Sequence, residues 1–138
     1  MRFALIADEV RVAIDRDVDI VSARQKGREL ASHCGLPSTD LAVVATAISE
    51  LARNIVRYAV RGEIILRLVD DHGKRGIEVV AADDGPGIPD VALAMQDGYS
   101  TSGSLGLGLP GVRRLMDEFE IISDFGKGTT VTVRKWKR

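Results

Sequence analysis

The chain has 138 residues, of which 45% are apolar and 28% charged, and its formal net charge at pH 7 is −1. This length and composition are typical of one globular domain spanning residues 1–138, and the weak charge favours neither nucleic acid nor an anionic membrane as a partner. The longest apolar stretch, residues 41–48, is far shorter than the roughly 20 residues that span a bilayer, so we expect a cytoplasmic protein.

Strands and two long helices are predicted in the first half of the chain. Residues 3–14 alternate with β-branched side chains, which indicates one or two short strands. A helix follows to about Cys34, capped by Asp17 or Asp19, and a longer one covers residues 38–58, capped by its first residue. Apolar residues recur in both at the helical spacing of 3.6 residues.

A hairpin is predicted next. Residues 62–69 and 76–82 are rich in β-branched side chains and flank a polar turn of residues 70–75, which is typical of two paired strands. The long polar and glycine-rich stretch after them contains one short predicted helix near residues 90–95.

The last part of the chain is predicted to form a helix and two strands. Pro110 suits the first turn of a helix that runs to about Glu118. Residues 119–123 and 129–136 follow as strands. Together, the elements predict an α+β two-layer sandwich, with a mostly antiparallel, mixed sheet covered on one face by three helices.

One glycine motif points to a dinucleotide site, but its context excludes that interpretation. Residues 106–111 match the pattern G-x-G-x-x-G. The dinucleotide fingerprint requires a buried strand immediately before the motif. Residues 100–104 are serine, threonine and glycine, which do not form such a strand.

The segment that follows the second hairpin strand has the features of a ligand loop. Asp83 closes an apolar strand and can accept a hydrogen bond from an exocyclic amine such as that of adenine. Gly85 and Gly87 allow the backbone to approach a ligand closely, and Pro86 stiffens the loop between them. A simple tight turn is the alternative.

The second predicted helix carries a polar pair. Glu50 and Asn54, the single asparagine of the chain, are four residues apart and therefore share a helix face, away from the apolar stripe. A neutral oxygen beside a carboxylate is suited to a magnesium ion that bridges phosphates. The alternative is a solvated face on which Arg53 and Arg57 form ion pairs with Glu50.

A third segment suits phosphate binding. Gly103, Gly106, Gly108 and Gly111 surround a predicted helix start near Leu109. The backbone N–H groups at such a helix start attract phosphate oxygens.

These segments resemble the boxes of a known superfamily. Residues 50–54 are similar to its N box, residues 83–87 to its first glycine box, residues 106–109 to its second, and residues 126–129 to its last nucleotide motif. The chain is identified as a member of the GHKL ATPase and kinase superfamily, which includes DNA gyrase B, histidine kinases and MutL. The resemblance implies the Bergerat ATP-binding fold.

Longer segments resemble one branch of that superfamily. Residues 48–55, 84–90, 97–103 and 108–119 are similar to the RsbT-like serine/threonine switch kinases of the bacterial stressosome. The resemblance implies phosphorylation, with ATP and Mg²⁺, of a serine or threonine on STAS-domain scaffold proteins. It also implies that the released kinase binds and activates a PP2C-type phosphatase, and it leaves a homodimer open.

The resemblance implies a role for each matching residue. Asp83 would bind the adenine amine with support from Thr129, Asn54 would hold magnesium, and Glu50 would orient or deprotonate the incoming hydroxyl. Residues 99–107 would form a short lid over ATP. The implied nucleotide contacts are Asn54, Asp83, Gly85, Gly87, Ile88, Ser102, Gly103, Gly106, Leu107, Gly108, Leu109 and Thr129.

Two other functions fit the same motifs. An anti-sigma factor of this fold would phosphorylate an anti-anti-sigma protein and sequester the sigma subunit of RNA polymerase. A regulatory module would bind the nucleotide without performing chemistry.

Overall fold

The protein is described by a computed structural model that covers residues 4–5, 9–59, 61–86, 108–124 and 126–138. Within these residues the backbone forms a layer of helices on an antiparallel sheet. Its elements are β1 Ala4–Leu5, β2 Val10–Ile14, α1 Asp17–His33, α2 Ser38–Tyr58, β3 Gly62–Asp71, β4 Lys74–Asp83, α3 Gly108–Leu115, β5 Glu118–Asp124 and β6 Gly128–Trp136.

The sheet has the strand order β1-β3-β4-β6-β5, and β2 also pairs with β3. Every one of these pairings is antiparallel. The helices α1 and α2 pack on one face of the sheet, and α3 packs against α2. This arrangement confirms the predicted α+β two-layer fold.

The hydrophobic core lies between the sheet and the helices. Alternate residues of the strands point to this side, which is the period of a half-buried strand. The largest fully buried side chains come from both layers: Ile14, Val44, Ile48, Leu51, Ile55, Ile64, Leu66, Ile77, Val79, Val112 and Val133. Within the described residues, no helix has the length and apolarity needed to cross a bilayer.

The close contact between α1 and α2 depends on small residues. Ala23, Gly27 and Ala31 are spaced by four and are all buried on α1. A Cβ added to Gly27 would lie 2.1 Å from the Cδ1 atom of Ile48, so the two helices approach more closely than a larger side chain would allow. The helix α2, held against α1 in this way, packs on the central strands β3 and β4.

The helix caps differ from the prediction by one residue. Asp17 is the first residue of α1 rather than its cap, and Arg16 occupies the cap position. Asp19 still serves the helix start, because its Oδ2 accepts the N–H of Arg16 at 3.0 Å. Ser38 is likewise the first residue of α2, preceded by Pro37 as the cap.

The turn between β3 and β4 is shorter than predicted. His72 and Gly73 have φ angles of 54° and 87°, both left-handed, as a two-residue type I′ turn requires. Asp70 accepts the N–H of Gly73 at 2.7 Å. The strands are correspondingly longer, because the charged residues beside the turn pair in register, as Asp70 does with Arg75.

The third helix ends earlier than the predicted Glu118. It stops at Leu115, and Glu118 begins β5. The N–H of Asp117 donates to the carbonyl of Arg134 at 2.9 Å, and Asp117 Oδ2 accepts the N–H of Trp136 at 2.8 Å. Because Asp117 forms these hydrogen bonds with β6, the helix does not continue for another turn.

The sheet face away from the helices carries a ladder of charges. Glu78 is only 6% exposed and accepts from Arg67 and Arg134 at 2.9 Å each. Arg134 also donates to Glu118 at 3.0 Å. The ladder links β3, β4, β6 and β5 and satisfies a carboxylate that would be costly to bury alone.

Asp117 gives the fold a measurable pH dependence. Partial burial favours the protonated carboxyl, but the Trp136 N–H and the charges of Lys135 and Arg138 outweigh it, so the pKa of Asp117 is lowered. A lowered folded-state pKa stabilises the protein above the unfolded-state pKa of about 3.9, and the contribution is lost as the pH falls through the folded-state value. We therefore expect Asp117→Asn to reduce the free energy of unfolding at neutral pH by about 1–2 kcal/mol.

The measurement is chemical denaturation over a series of pH values. The difference between the wild type and Asp117→Asn should shrink as the pH falls below about 4, because the carboxyl of the unfolded chain is protonated before that of the folded protein. Asp15→Asn, at an exposed position, should change stability by less than about 0.5 kcal/mol. A difference for Asp117→Asn that stays constant down to acidic pH would contradict this account.

Candidate functional site

The predicted ligand loop begins at the end of β4. Asp83 is half-buried, and its register partners on the neighbouring strands are Gly62 and Thr129. Its Oδ1 accepts the N–H of Gly85 at 2.9 Å. This local bond fixes the carboxylate at the start of the loop, as a short acidic side chain does in an Asx turn.

The loop rests against the end of α2. A Cβ added to Gly85 would lie 2.9 Å from the Cβ of Ala59, the residue that caps this helix. A Cβ added to Gly62 would lie 2.9 Å from the Cγ2 of Ile55. These glycines allow the sheet end that carries Asp83 to lie against the last turns of α2.

The polar pair of α2 lies in the helical turns that precede this contact. Asn54 is half-buried and precedes Ile55, and Glu50 lies one helical turn earlier. Glu50 is only 8% exposed, and Arg53 Nη1 contacts its Oε1 at 2.5 Å. The alternative of a solvated face is therefore wrong for Glu50, whereas the ion pair with Arg53 that it included is present.

The start of α3 agrees with the prediction to within one residue. Gly108 begins the helix with a left-handed φ of 67°, and Leu109 and Pro110 are buried behind it. Because α3 packs against α2, its first turn belongs to the same helical layer as Glu50 and Asn54.

The turn between β5 and β6 joins the ligand loop from the other side. The N–H of Gly126 donates to the carbonyl of Pro86 at 2.7 Å. A Cβ added to Gly128, which has a φ of 99°, would lie 2.1 Å from the carbonyl oxygen of Asp83. Only glycine fits between these two backbones.

Thr129 lies opposite Asp83 in the sheet register, as the resemblance requires of a supporting residue. Its hydroxyl, however, is 2.8 Å from the hydroxyl of Ser123. Ser123 was not singled out in the sequence. Ser123 is the cross-strand partner of Thr129, on the other side of a short glycine turn. This pairing can be identified only once the register of β5 and β6 is known.

A family profile described as "Histidine kinase-like ATPase domain" matches residues 14–135 of the chain. The chain belongs to the histidine kinase-like ATPase family. Its similarity to the serine/threonine-protein kinase RsbT of Bacillus subtilis (strain 168) is 53% identity over 131 residues, or 95% of this chain and 98% of that protein. Within the family, the chain is therefore an RsbT-like protein serine/threonine kinase.

Anti-sigma F factors are more distant relatives. The anti-sigma F factor of Caldanaerobacter subterraneus subsp. tengcongensis is 36% identical over 103 residues, which cover 70% of this chain and 71% of that protein. This match covers a smaller part of each chain than the match to RsbT.

Solved structures confirm the histidine kinase-like fold. The structure of the RsbU and RsbW domains of Rv1364c from Mycobacterium tuberculosis superposes with a TM-score of 0.65 at 20% identity, over 96% of this chain and 34% of that one. This chain thus spans about a third of that protein. The mycobacterial sensor histidine kinase MprB gives a TM-score of 0.56 at 18% identity, over 94% and 99% of the two chains.

The described residues contain only part of the predicted ATPase site. Asp83, Gly85 and Thr129 meet at one end of the sheet, and Glu50 and Asn54 lie on the helix that ends there. The short helix near residues 90–95 and the lid fall outside the described residues, as do these site residues: Gly87, Ile88, Ser102, Gly103, Gly106 and Leu107.

The described part of the chain contains no cluster of three His, Cys, Asp or Glu side chains that could hold a metal ion alone.

The contact of Gly128 with Asp83 can be tested against a matched glycine. Gly126 has a similar φ of 80° but nothing within 4 Å of an added Cβ. Gly126→Ala should therefore cost only the backbone strain of about 1–2 kcal/mol. Gly128→Ala should cost about 1–3 kcal/mol more, because the methyl group displaces the Asp83 backbone.

Denaturation and nucleotide titration measure the two effects. Gly128→Ala is expected to weaken ATP binding as well as stability, whereas Gly126→Ala should leave the contact between Gly128 and Asp83 undisturbed. Equal losses for the two variants would show that the close approach to Asp83 has no influence on the site.

Proposed function

We propose that this RsbT-like kinase transfers phosphate from ATP, with Mg²⁺, to a serine or threonine of STAS-domain scaffold proteins. The observation that supports the proposed site best is the buried Glu50, one turn from Asn54 on a helix whose end contacts the Asp83 loop. This observation supports a site in which Glu50 would supply a carboxylate, Asn54 a neutral oxygen ligand and Asp83 an amine acceptor.

Asp83 fits the role of adenine acceptor. Among the described residues its carboxylate accepts one N–H, from Gly85, whereas an ionised carboxylate offers about four acceptor positions. Acceptor capacity therefore remains for an exocyclic amine. The glycines beside it, Gly62 and Gly128, keep the surrounding backbone free of side chains.

Asn54 fits the role of magnesium ligand. Its amide carries a hard oxygen, the donor type that Mg²⁺ prefers, and one protein ligand suffices when phosphates and water complete the octahedron. The ion would neutralise charge on the transferred phosphoryl group. The first turn of α3, which begins at Gly108, would donate backbone N–H groups to phosphate oxygens.

Glu50 would act on the incoming hydroxyl. Burial of a carboxylate is unfavourable, so the burial of the Glu50 side chain on α2 needs a reason beyond packing. Phosphoryl transfer depends mainly on positioning and charge neutralisation. Glu50 would orient the hydroxyl and accept its proton as the new oxygen–phosphorus bond forms and the bond between the γ-phosphorus and the leaving ADP breaks.

The proposed partners follow from the resemblance of the motifs rather than from contacts. A STAS-domain scaffold would supply the acceptor serine or threonine, and the released kinase would bind and activate a PP2C-type phosphatase. A kinase that uses ATP in such a switch would act in the cytoplasm.

An anti-sigma factor kinase is the second candidate, because the chain shares 36% identity with an anti-sigma F factor. Pull-down with the purified protein separates the two candidates. We expect it to capture a STAS scaffold or a phosphatase, and capture of a sigma factor instead would favour the second candidate.

The substitution Glu50→Gln tests whether the protein is a catalyst or a nucleotide-binding module. It keeps the size of the side chain but removes the negative charge, so we expect phosphate transfer to fall by about 10²–10⁴-fold with ATP affinity retained. Glu78→Gln is the matched control, a buried glutamate on the opposite sheet face, and should transfer phosphate at the wild-type rate. Unchanged transfer by Glu50→Gln would remove Glu50 from the chemistry.

A further inference from the structure

We propose that Arg53 is a positioning residue that holds the Glu50 carboxylate in its reactive orientation. This inference rests on the proposed role of Glu50. Arg53 Nη1 lies 2.5 Å from Glu50 Oε1, and the two side chains are 33% and 10% exposed. The pair is therefore largely removed from water, unlike an ordinary ion pair on a helix surface.

The helix geometry explains why Arg53 can perform this role. Residues three apart on a helix lie side by side, so Arg53 reaches Glu50 without a change in the backbone. A glutamate has three side-chain torsions, and it would otherwise be free to sample several rotamers. The contact with Arg53 fixes the plane of the carboxylate.

Among the described residues, the contact leaves the second carboxylate oxygen of Glu50 for the chemistry. Arg53 binds Oε1, so Oε2 is the oxygen that can accept a hydrogen bond from the incoming hydroxyl. A guanidinium cannot be deprotonated at accessible pH, so Arg53 does not take the proton that Glu50 accepts. Its function is exerted through Glu50 and not on the phosphate.

The substitution Arg53→Met removes the charge but keeps an apolar stem of comparable length. We expect the kcat for phosphate transfer to fall by about 10- to 100-fold, a share of the 10²–10⁴ that a positioned acid or base contributes. The Kd and KM for ATP should change by less than about twofold, because a positioning residue acts on the chemical step. Arg53→Lys should recover part of the rate, since lysine supplies the charge without the planar fork.

Arg24→Met is the matched control. It removes one positive charge from an exposed position on α1, and it should leave both kcat and ATP affinity unchanged. A fall in kcat equal to that of Arg53→Met would attribute the effect to net charge and would overturn the proposal.

The decisive comparison adds Arg53→Met to Glu50→Gln. If Arg53 acts through Glu50, the double variant is no slower than Glu50→Gln alone. The proposal would be overturned if the kcat of the double variant fell below that of Glu50→Gln by the full factor seen for Arg53→Met alone. It would also be overturned by a raised Kd for ATP in Arg53→Met, since either result would show that Arg53 contacts the nucleotide. Wild-type kcat in Arg53→Met would overturn it as well.

Thermal unfolding without nucleotide gives a readout that is independent of activity. Arg53→Met should lower the melting temperature more in the wild type than in Glu50→Gln, because only the wild type leaves a buried charge unpaired. Equal shifts in the two backgrounds would show that the ion pair does not form. An active Glu50→Gln variant would instead refute the proposed role of Glu50, so the two failures are distinguishable.

Discussion

Replacing Asn54 by alanine is expected to abolish magnesium-dependent phosphate transfer while leaving the protein folded. Asn54 is half-buried in the last turns of α2, whose cap residue Ala59 contacts the loop that carries Asp83. Loss of the proposed metal ligand should remove several kcal/mol of charge stabilisation in the transition state, which corresponds to more than about 100-fold in rate. Alanine is a better helix former than asparagine, so the melting temperature should not fall.

The measurement is the transfer rate at increasing concentrations of Mg²⁺, with the melting temperature of each variant. Thr46→Ala is the matched control on the same helix, where an exposed hydroxyl donates to the Ala42 carbonyl at 3.0 Å. That variant should retain the wild-type rate and magnesium dependence. A normal rate in Asn54→Ala would mean that the metal is held elsewhere.

Replacing Asp83 by asparagine should weaken ATP binding by about 10- to 100-fold, equivalent to one hydrogen bond to a charged group. Asparagine keeps an oxygen that can accept from the N–H of Gly85, so the loop should retain its shape. Its amide nitrogen, however, presents a donor where the adenine amine needs an acceptor. The preference for ATP over GTP should decrease for the same reason.

Titration of ATP and of GTP into each variant measures this effect. Asp84→Asn is the neighbouring control, since Asp84 is exposed and has a long, 3.4 Å contact with Arg61. It should bind ATP as the wild type does. Wild-type affinity in Asp83→Asn, or an equal loss in both variants, would show that the adenine contact is misassigned.

Most of the fold could be predicted from local patterns because the patterns and the tertiary structure agree. The apolar stripe of α2 is the face that enters the core, as Ile48 and Leu51 show. The errors occur where a distant partner decides the outcome. The end of α3 depends on bonds from Asp117 to β6, and the strands beside His72 extend because Asp70 pairs with Arg75.

The site was predictable as a set of motifs but not as an arrangement. The sequence places Glu50 and Asn54 on one helix, yet it does not show that Glu50 is buried against Arg53. Nor does it show that Gly128 touches Asp83, because that contact depends on the register of β4 and β6. The roles of these residues in ATP and magnesium binding stay predictions until nucleotide is added.

Phosphosite mapping tests the central claim most directly. The purified protein would be incubated with labelled ATP, Mg²⁺ and the STAS-domain protein encoded nearest to its gene, with Glu50→Gln as the negative control. We predict label on one serine or threonine of the STAS protein, present with the wild type and strongly reduced with Glu50→Gln. Absence of label with a protein that binds ATP normally, or label on a histidine, would contradict the proposed function.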